Sequence, residues 1–164
     1  DTKALIDNTH VWNTGAYGSS GITRVQMYNY ERGSSKSTEM TSTNWTGAIG
    51  LMYPSDYAYA TNSTMNICDT IAMSNWNDSN VYESCSRNSW LFDSSKDQWT
   101  LTPHIAVARA FKVDTTGRVW DNNGTNGLAG VRPALYLKSS VKMSGTENVA
   151  GIPGSSENPY LLGI

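Results

Sequence analysis

The chain has few charges, only two cysteines and no long apolar run, and each shortage narrows what it can be. Charged residues are 16% of the 164 positions, against roughly 25% in ordinary soluble domains. Lys and Arg never cluster and the formal net charge is −2, so the basic patch that neutralises phosphates is missing and nucleic acid is not expected as a partner. No apolar run approaches the ~18 residues of a membrane span, so no span is expected within this chain. No basic-then-apolar leader opens it either. Because it starts at Asp1 rather than Met, the expectation is a processed protein or an excised ectodomain whose anchor, if any, lies upstream.

Sparse cysteine and histidine limit the chemistry. Cys68 and Cys85 enclose a short segment rich in Asn, Asp and Ser, and two readings are open: a disulfide in an oxidising compartment, or two reduced thiols. Low charge and abundant Ser, Thr and Asn resemble exported proteins and favour the bridge. The only histidines, His10 and His104, stand far apart without an adjacent motif. No thiolate, imidazole and carboxylate set for catalysis is evident. No catalytic residue, metal site or cofactor is therefore expected, and the chain is read as a non-enzyme.

Polarity comes instead from Ser, Thr and Asn, which fill 52 positions. Such a composition borders on disorder, but six Trp and nine Tyr spread along the chain supply apolar surface to offset ordering entropy. A folded, turn-rich single domain over residues 1–164 is expected. Thr23 and Gln26 have the spacing of a capping box and Gly33 that of a left-handed C-cap, which predicts a helix over 23–32 with Val25, Tyr28, Met27 and the stem of Arg32 inward. The stretch 45–60 alternates around Pro54-Ser55-Asp56, predicting two short extended pieces and a turn. Ser63 or Thr64 can cap a second helix running to about Trp76, with Ile67, Ile71 and Met73 or Ser74 on its inner face.

From Trp90 onward the period changes to two. Trp90 and Phe92, Trp99 and Leu101, and Phe111 and Val113 with Val119 alternate with polar residues, and Thr115-Thr116-Gly117 suits a hairpin turn. In 130–139, Val131, Pro133, Leu135 and Leu137 share one face, read as core, and Arg132, Ala134, Tyr136 and Lys138 the other. Pro133 has no amide hydrogen and belongs where the ladder needs no donor. Arg132 is read as a structural tie, its planar fork held by carbonyls or by a carboxylate such as Asp56. A last strand is expected around Asn158-Pro159-Tyr160-Leu161-Leu162.

Several of these segments occur together in a known order. Trp99-Thr100-Leu101-Thr102-Pro103, Ala110-Phe111-x-Val113, Gly117-x-Val119 and Gly130-Val131-Arg132-Pro133-Ala134-Leu135 resemble bacterial C-type-lectin-like domains of the formylglycine-generating-enzyme and retroelement variable-protein kind, found in exported or pilin-like surface proteins. The resemblance covers most of 45–162. It implies an α+β, C-type-lectin-like fold: two helices in the first half, then a small, mostly antiparallel twisted sheet with long loops. Trp76-Asn77-Asp78 matches part of the calcium site of sugar-binding C-type lectins by letters, but no Glu-Pro-Asn segment precedes it. Cysteines that hold copper in the oxidases of the formylglycine family are absent after Cys85.

The resemblance implies binding by loops on an inert scaffold. Segments 104–109 and 120–129, carrying His104, Arg109, Trp120, Asn122, Asn123 and Asn126, map to the loop side of the sheet. Mixed aromatic, amide and cationic side chains suit adaptable recognition, although Asn and Gly also simply serve turns. The expected function is an extracellular or cell-surface domain that binds a protein or glycan surface, for adhesion or display. The alternative is a structural, pilin-like subunit that self-assembles into a filament.

Overall fold

The computed structural model describes residues 5–14, 21–32, 44–61, 66–105, 107–123, 128–144 and 161–163. The first half contains β1 (Val11–Asn13), α1 (Arg24–Arg32), β2 (Asn44–Thr46), β3 (Ile49–Leu51), α2 (Pro54–Tyr59), α3 (Ile67–Thr70), a 3-10 turn (Met73–Asn75) and α4 (Ser79–Tyr82). The second half contains β4 (Gln98–Pro103), β5 (Arg109–Val113), β6 (Val119–Asn123), β7 (Gly130–Val131), β8 (Pro133–Leu135), β9 (Lys142–Ser144) and β10 (Leu161–Gly163). The architecture is mixed α+β, with few, short helices and small sheets.

The largest sheet has the order β6-β5-β4-β7. Its first three strands form an antiparallel meander, and β7 runs parallel to β4. Three two-stranded ladders, β1–β2, β3–β8 and β9–β10, accompany it. The Leu101 amide donates to the Met52 carbonyl at 2.9 Å and so ties β4 to the end of β3. One core joins Met27 of α1 and Tyr57 of α2 to Phe111, Val113 and Val119 of the sheet, with Met73, Trp76 and the cysteines on its flank.

Helix α1 starts as its capping box requires: the Gln26 amide donates to Thr23 Oγ1 at 3.3 Å, and the Thr23 amide to Gln26 Oε1 at 3.0 Å. Its inner face differs from expectation. Arg24, Met27 and Glu31 are buried, whereas Val25 and Tyr28 are exposed. Two polar side chains occupy that face because each is satisfied there. Arg24 pairs with Asp69 at 2.6 Å and donates to Thr61 Oγ1 at 2.6 Å and the Ala58 carbonyl at 3.2 Å; Glu31 is treated below. The expected cap at Gly33 lies outside the described residues.

Residues 54–59 are helical rather than extended. Pro54 sits in the first turn, where a missing amide hydrogen costs nothing, and Asp56 accepts from the Tyr53 amide at 2.8 Å. The expected long helix ending near Trp76 is broken into α3 and the 3-10 turn, with Cys68 and Met73 buried and Ile67 exposed. Its expected caps, Ser63 and Thr64, lie outside the described residues. Cys68 and Cys85 form a disulfide with Cα atoms 5.7 Å apart, joining α3 to the turns after α4.

Trp90 and Phe92 belong to those turns, not to a strand; the Phe92 amide closes one on the Ser89 carbonyl at 3.0 Å. The hairpin at 115–117 is present. Gly117 has φ 81°, and its carbonyl lies 3.1 Å from Tyr57 Oη and 3.0 Å from Ser86 Oγ. Strand alternation holds while its orientation does not. In β4 the buried side chains are Gln98, Thr100 and Thr102, and Trp99 and Leu101 are half-buried. The threonines tolerate burial because Thr100 donates to the Phe111 carbonyl at 2.7 Å and Thr102 to Glu31 at 3.0 Å.

The same reversal occurs in β7 and β8. Val131 is 66% exposed, Leu135 and Leu137 are exposed, and Arg132 and Ala134 are half-buried. The core role expected for Val131, Leu135 and Leu137 is thus overturned: the Arg132 guanidinium donates to the Leu91 carbonyl at 2.7 Å and draws the opposite face inward. Pro133 stands opposite Leu51 in the β3–β8 ladder. Of the last expected strand, Leu161 and Leu162 lie in β10, paired with β9, and 158–160 lie outside the described residues.

Candidate functional site

An open cleft of about 570 Å³ forms where α1, α2, the 89–92 turns and β8 meet. Its walls carry three solvent-facing rings, Tyr28, Tyr59 and Trp90, the last 79% exposed. Each ring has a local reason for its place. Tyr28 and Tyr59 meet edge to face at 5.7 Å, and the Arg24 guanidinium lies 4.8 Å from the centre of the Tyr59 ring. The Trp90 amide donates to the Ala60 carbonyl at 3.2 Å, which holds the indole beside the end of α2.

Two cations line the same cleft. Arg32, in the last turn of α1, forms an ion pair with Asp56 and lies 4.4 Å over the Tyr53 ring and 5.9 Å over Tyr28. Asp56 therefore serves two groups, the Arg32 guanidinium and the Tyr53 amide. Burial pushes the Tyr53 phenol up to about 12, so it stays neutral at physiological pH. Arg132 enters from the β7–β8 side, held by the Leu91 carbonyl. The carboxylate suggested for it, Asp56, pairs with Arg32 instead.

Ser55 lines the cleft and is itself buried, and its Oγ has no hydrogen-bond partner among the described residues. Its amide donates to Glu31 Oε2 at 3.3 Å, while Thr102 donates to Glu31 Oε1 at 3.0 Å. Burial raises the Glu31 carboxyl to about 8, against the weaker lowering effects of Ser55, Thr102 and the Arg32 charge. Glu31 is thus a neutral acid beneath the cleft at pH 7.

Of the residues expected to bind ligand, His104, Arg109, Trp120 and Asn122 do not line this cleft. Between β4 and β5 the His104 amide donates to the Arg109 carbonyl at 2.8 Å, and Ile105 and Val107 are exposed. Arg109 begins β5 and pairs with Asp121 of β6 at 3.1 Å. Trp120, Asn122 and Asn123 lie in β6 rather than in a loop, because 119–123 pairs in full register with 109–113. Trp120 packs between Lys112 and Arg118, 5.3 and 4.9 Å from its ring centres. Asn126 and the side chain of Asn123 lie outside the described residues. The structure therefore brings Arg109 and Trp120 onto neighbouring strands.

Trp76-Asn77-Asp78 does not form an open strand site: Trp76 is buried and the Asp78 carbonyl caps α4 by accepting from the Val81 and Tyr82 amides at 2.9 and 2.8 Å. Among the described residues there is no group of three His, Cys, Asp or Glu side chains placed to hold a metal ion. None of their helices is long and apolar enough to cross a membrane. No family model, curated protein or solved structure matches the chain.

The cleft was hidden from sequence reasoning because its aromatic residues read as core. Tyr28 falls on an apparent inner helix face, and Trp90 on an apparent strand. The one usable signal was Arg132, a cation in an apolar alternation.

Proposed function

We propose that the chain is a non-enzymatic, extracellular ligand-binding domain of an adhesion or display protein, built on a C-type-lectin-like scaffold. Its binding site is the cleft between α1, α2, the 89–92 turns and β8, rather than the 104–109 and 120–129 segments. The observation that carries this reading is the gathering of three solvent-facing aromatic rings and Arg132 around one recess. Exposed rings cost solvation and are commonly retained at recognition surfaces, and concave, largely apolar recesses with a few polar groups suit ligands. The Cys68–Cys85 disulfide supports an oxidising compartment.

Glycan and protein arrays probed with the wild-type protein and with Trp90→Ala test the reading. Capture by the wild type and loss in the variant, at an unchanged melting temperature, is the expected result. Equal capture by both sinks the cleft as the site. A second reading, a self-assembling structural subunit, draws on the apolar face of the β3–β8 ladder, where Ile49 and Leu135 are paired and both exposed. Electron microscopy of native material showing regular filaments, abolished by Leu135→Lys, would favour it.

A further inference from the structure

We infer that the cleft takes a carboxylated carbohydrate, with a sugar ring on Trp90 and its carboxylate on Arg132; this rests on the cleft being the ligand site. All six arginines of the chain lie among the described residues. Five of them, Arg24, Arg32, Arg87, Arg109 and Arg118, are paired with carboxylates. Arg132 forms no ion pair with a carboxylate among the described residues; Asp93, held below the usual range chiefly by its hydrogen bonds from Ser95, feels the Arg132 charge without pairing to it. Its guanidinium is fixed through Nη1 on the Leu91 carbonyl, which leaves the rest of a rigid donor fork at the cleft wall. Such a fork matches the two oxygens of a carboxylate, and a half-buried cation is screened less than one in open solvent.

The other walls suit a sugar. Trp90, with most of its surface open, offers a plane for the C–H face of a pyranose, and Tyr59 and Tyr28 extend the aromatic wall. Hydroxyls round the sugar's rim find the Asp56 carboxylate as an acceptor on the wall. The volume of about 570 Å³ lies inside the range of ~300–1,000 Å³ usual for small-ligand sites. An acidic peptide fits less well. The strand β8 belongs to a two-stranded ladder, and where it lines the cleft it presents Pro133, which has no amide hydrogen for pairing with a peptide strand.

The test is isothermal titration of the intact, disulfide-bonded protein with oligosaccharides bearing galacturonic, glucuronic or sialic acid, each beside its carboxyl-reduced counterpart, and with a glutamate-rich peptide. At least one acidic sugar is expected to bind, and to bind tenfold or more weakly after carboxyl reduction. Arg132→Gln should cost tenfold or more. Arg132→Lys keeps the charge without the fork and should fall between. Trp90→Ala, at a ring mostly in solvent, should abolish binding without altering the fold. Equal binding of an acid and its reduced form, still lost in Trp90→Ala, overturns the carboxylate assignment and leaves the cleft as a ligand site. Binding of the peptide alone through Arg132 overturns the carbohydrate. Binding of none of these probes, while array ligands are still captured in a Trp90-dependent way, overturns the acidic sugar only. Capture indifferent to Trp90→Ala overturns the cleft itself.

Discussion

Replacing Glu31 by Gln should stabilise this protein near neutral pH. The carboxyl is buried between α1, α2 and β4, and burial raises it from 4.5 to about 8. Because the folded state holds this proton more tightly than the unfolded chain, the group's stabilising contribution is complete below pH 4.5 and declines as pH rises towards 8. At about 1.4 kcal/mol per pH unit over the two to three units up to pH 7, keeping the acid neutral costs about 3 kcal/mol relative to acidic solution. Gln is the neutral isostere. Its carbonyl oxygen can accept from the Ser55 amide, and its nitrogen can donate to Thr102 Oγ1, which both donates and accepts.

The variant should therefore unfold with a pH dependence flatter than the wild type between pH 5 and 8. The curves should converge near pH 4.5 and separate by about 3 kcal/mol at pH 7, roughly 10 °C in Tm for a chain of this size. Urea and thermal unfolding across that range, with the disulfide intact, make the measurement. Parallel curves, or a Gln variant less stable than the wild type at pH 7, would show that Glu31 is not held as a neutral acid in the fold.

Three further outcomes are expected. Gly117→Ala should lower stability by at least ~1–2 kcal/mol in denaturant titration, since φ is 81° and an added Cβ would come within 2.3 Å of the Ser86 side chain; a neutral effect would mean that the 86–117 contact is loose. Reducing the Cys68–Cys85 bridge should cost about 3 kcal/mol by loop entropy for a separation of 17 residues, seen as a fall in Tm with reductant. Trp90→Ala should change stability by no more than ~0.5 kcal/mol in the same titration, because most of the ring is in solvent; a larger loss would make the ring structural.

Local signals were legible wherever a short stretch supplies its own partners. The start of α1 is written in Thr23 and Gln26, whose side chains and amides satisfy each other within four residues. The β5–β6 hairpin is written in Gly117, which reaches positive φ without a Cβ clash, and in Phe111, Val113 and Val119, which all face the core. Arg132 as a tie held by a carbonyl was also readable, because a guanidinium inside an apolar strand needs an acceptor.

Faces were not legible, because alternation sets which residues share a side but not which side is covered. In β8 the apolar set is exposed, and in β4 two threonines and a glutamine are buried, since what lies over a strand is decided by distant chain. Glu31 and Arg24 look like solvated helix residues until Thr102, Ser55, Asp69 and Thr61 are brought to them from 24 to 71 positions away. The cleft has the same origin: Tyr28, Tyr59, Trp90 and Arg132 come from four separate segments, and each taken alone has an ordinary structural reading. By itself the sequence determined composition, low charge, the helix cap and the hairpin, all set by neighbours in the chain. Tertiary structure alone decided burial, the neutral acid and the recess, because each is set by what packs against it.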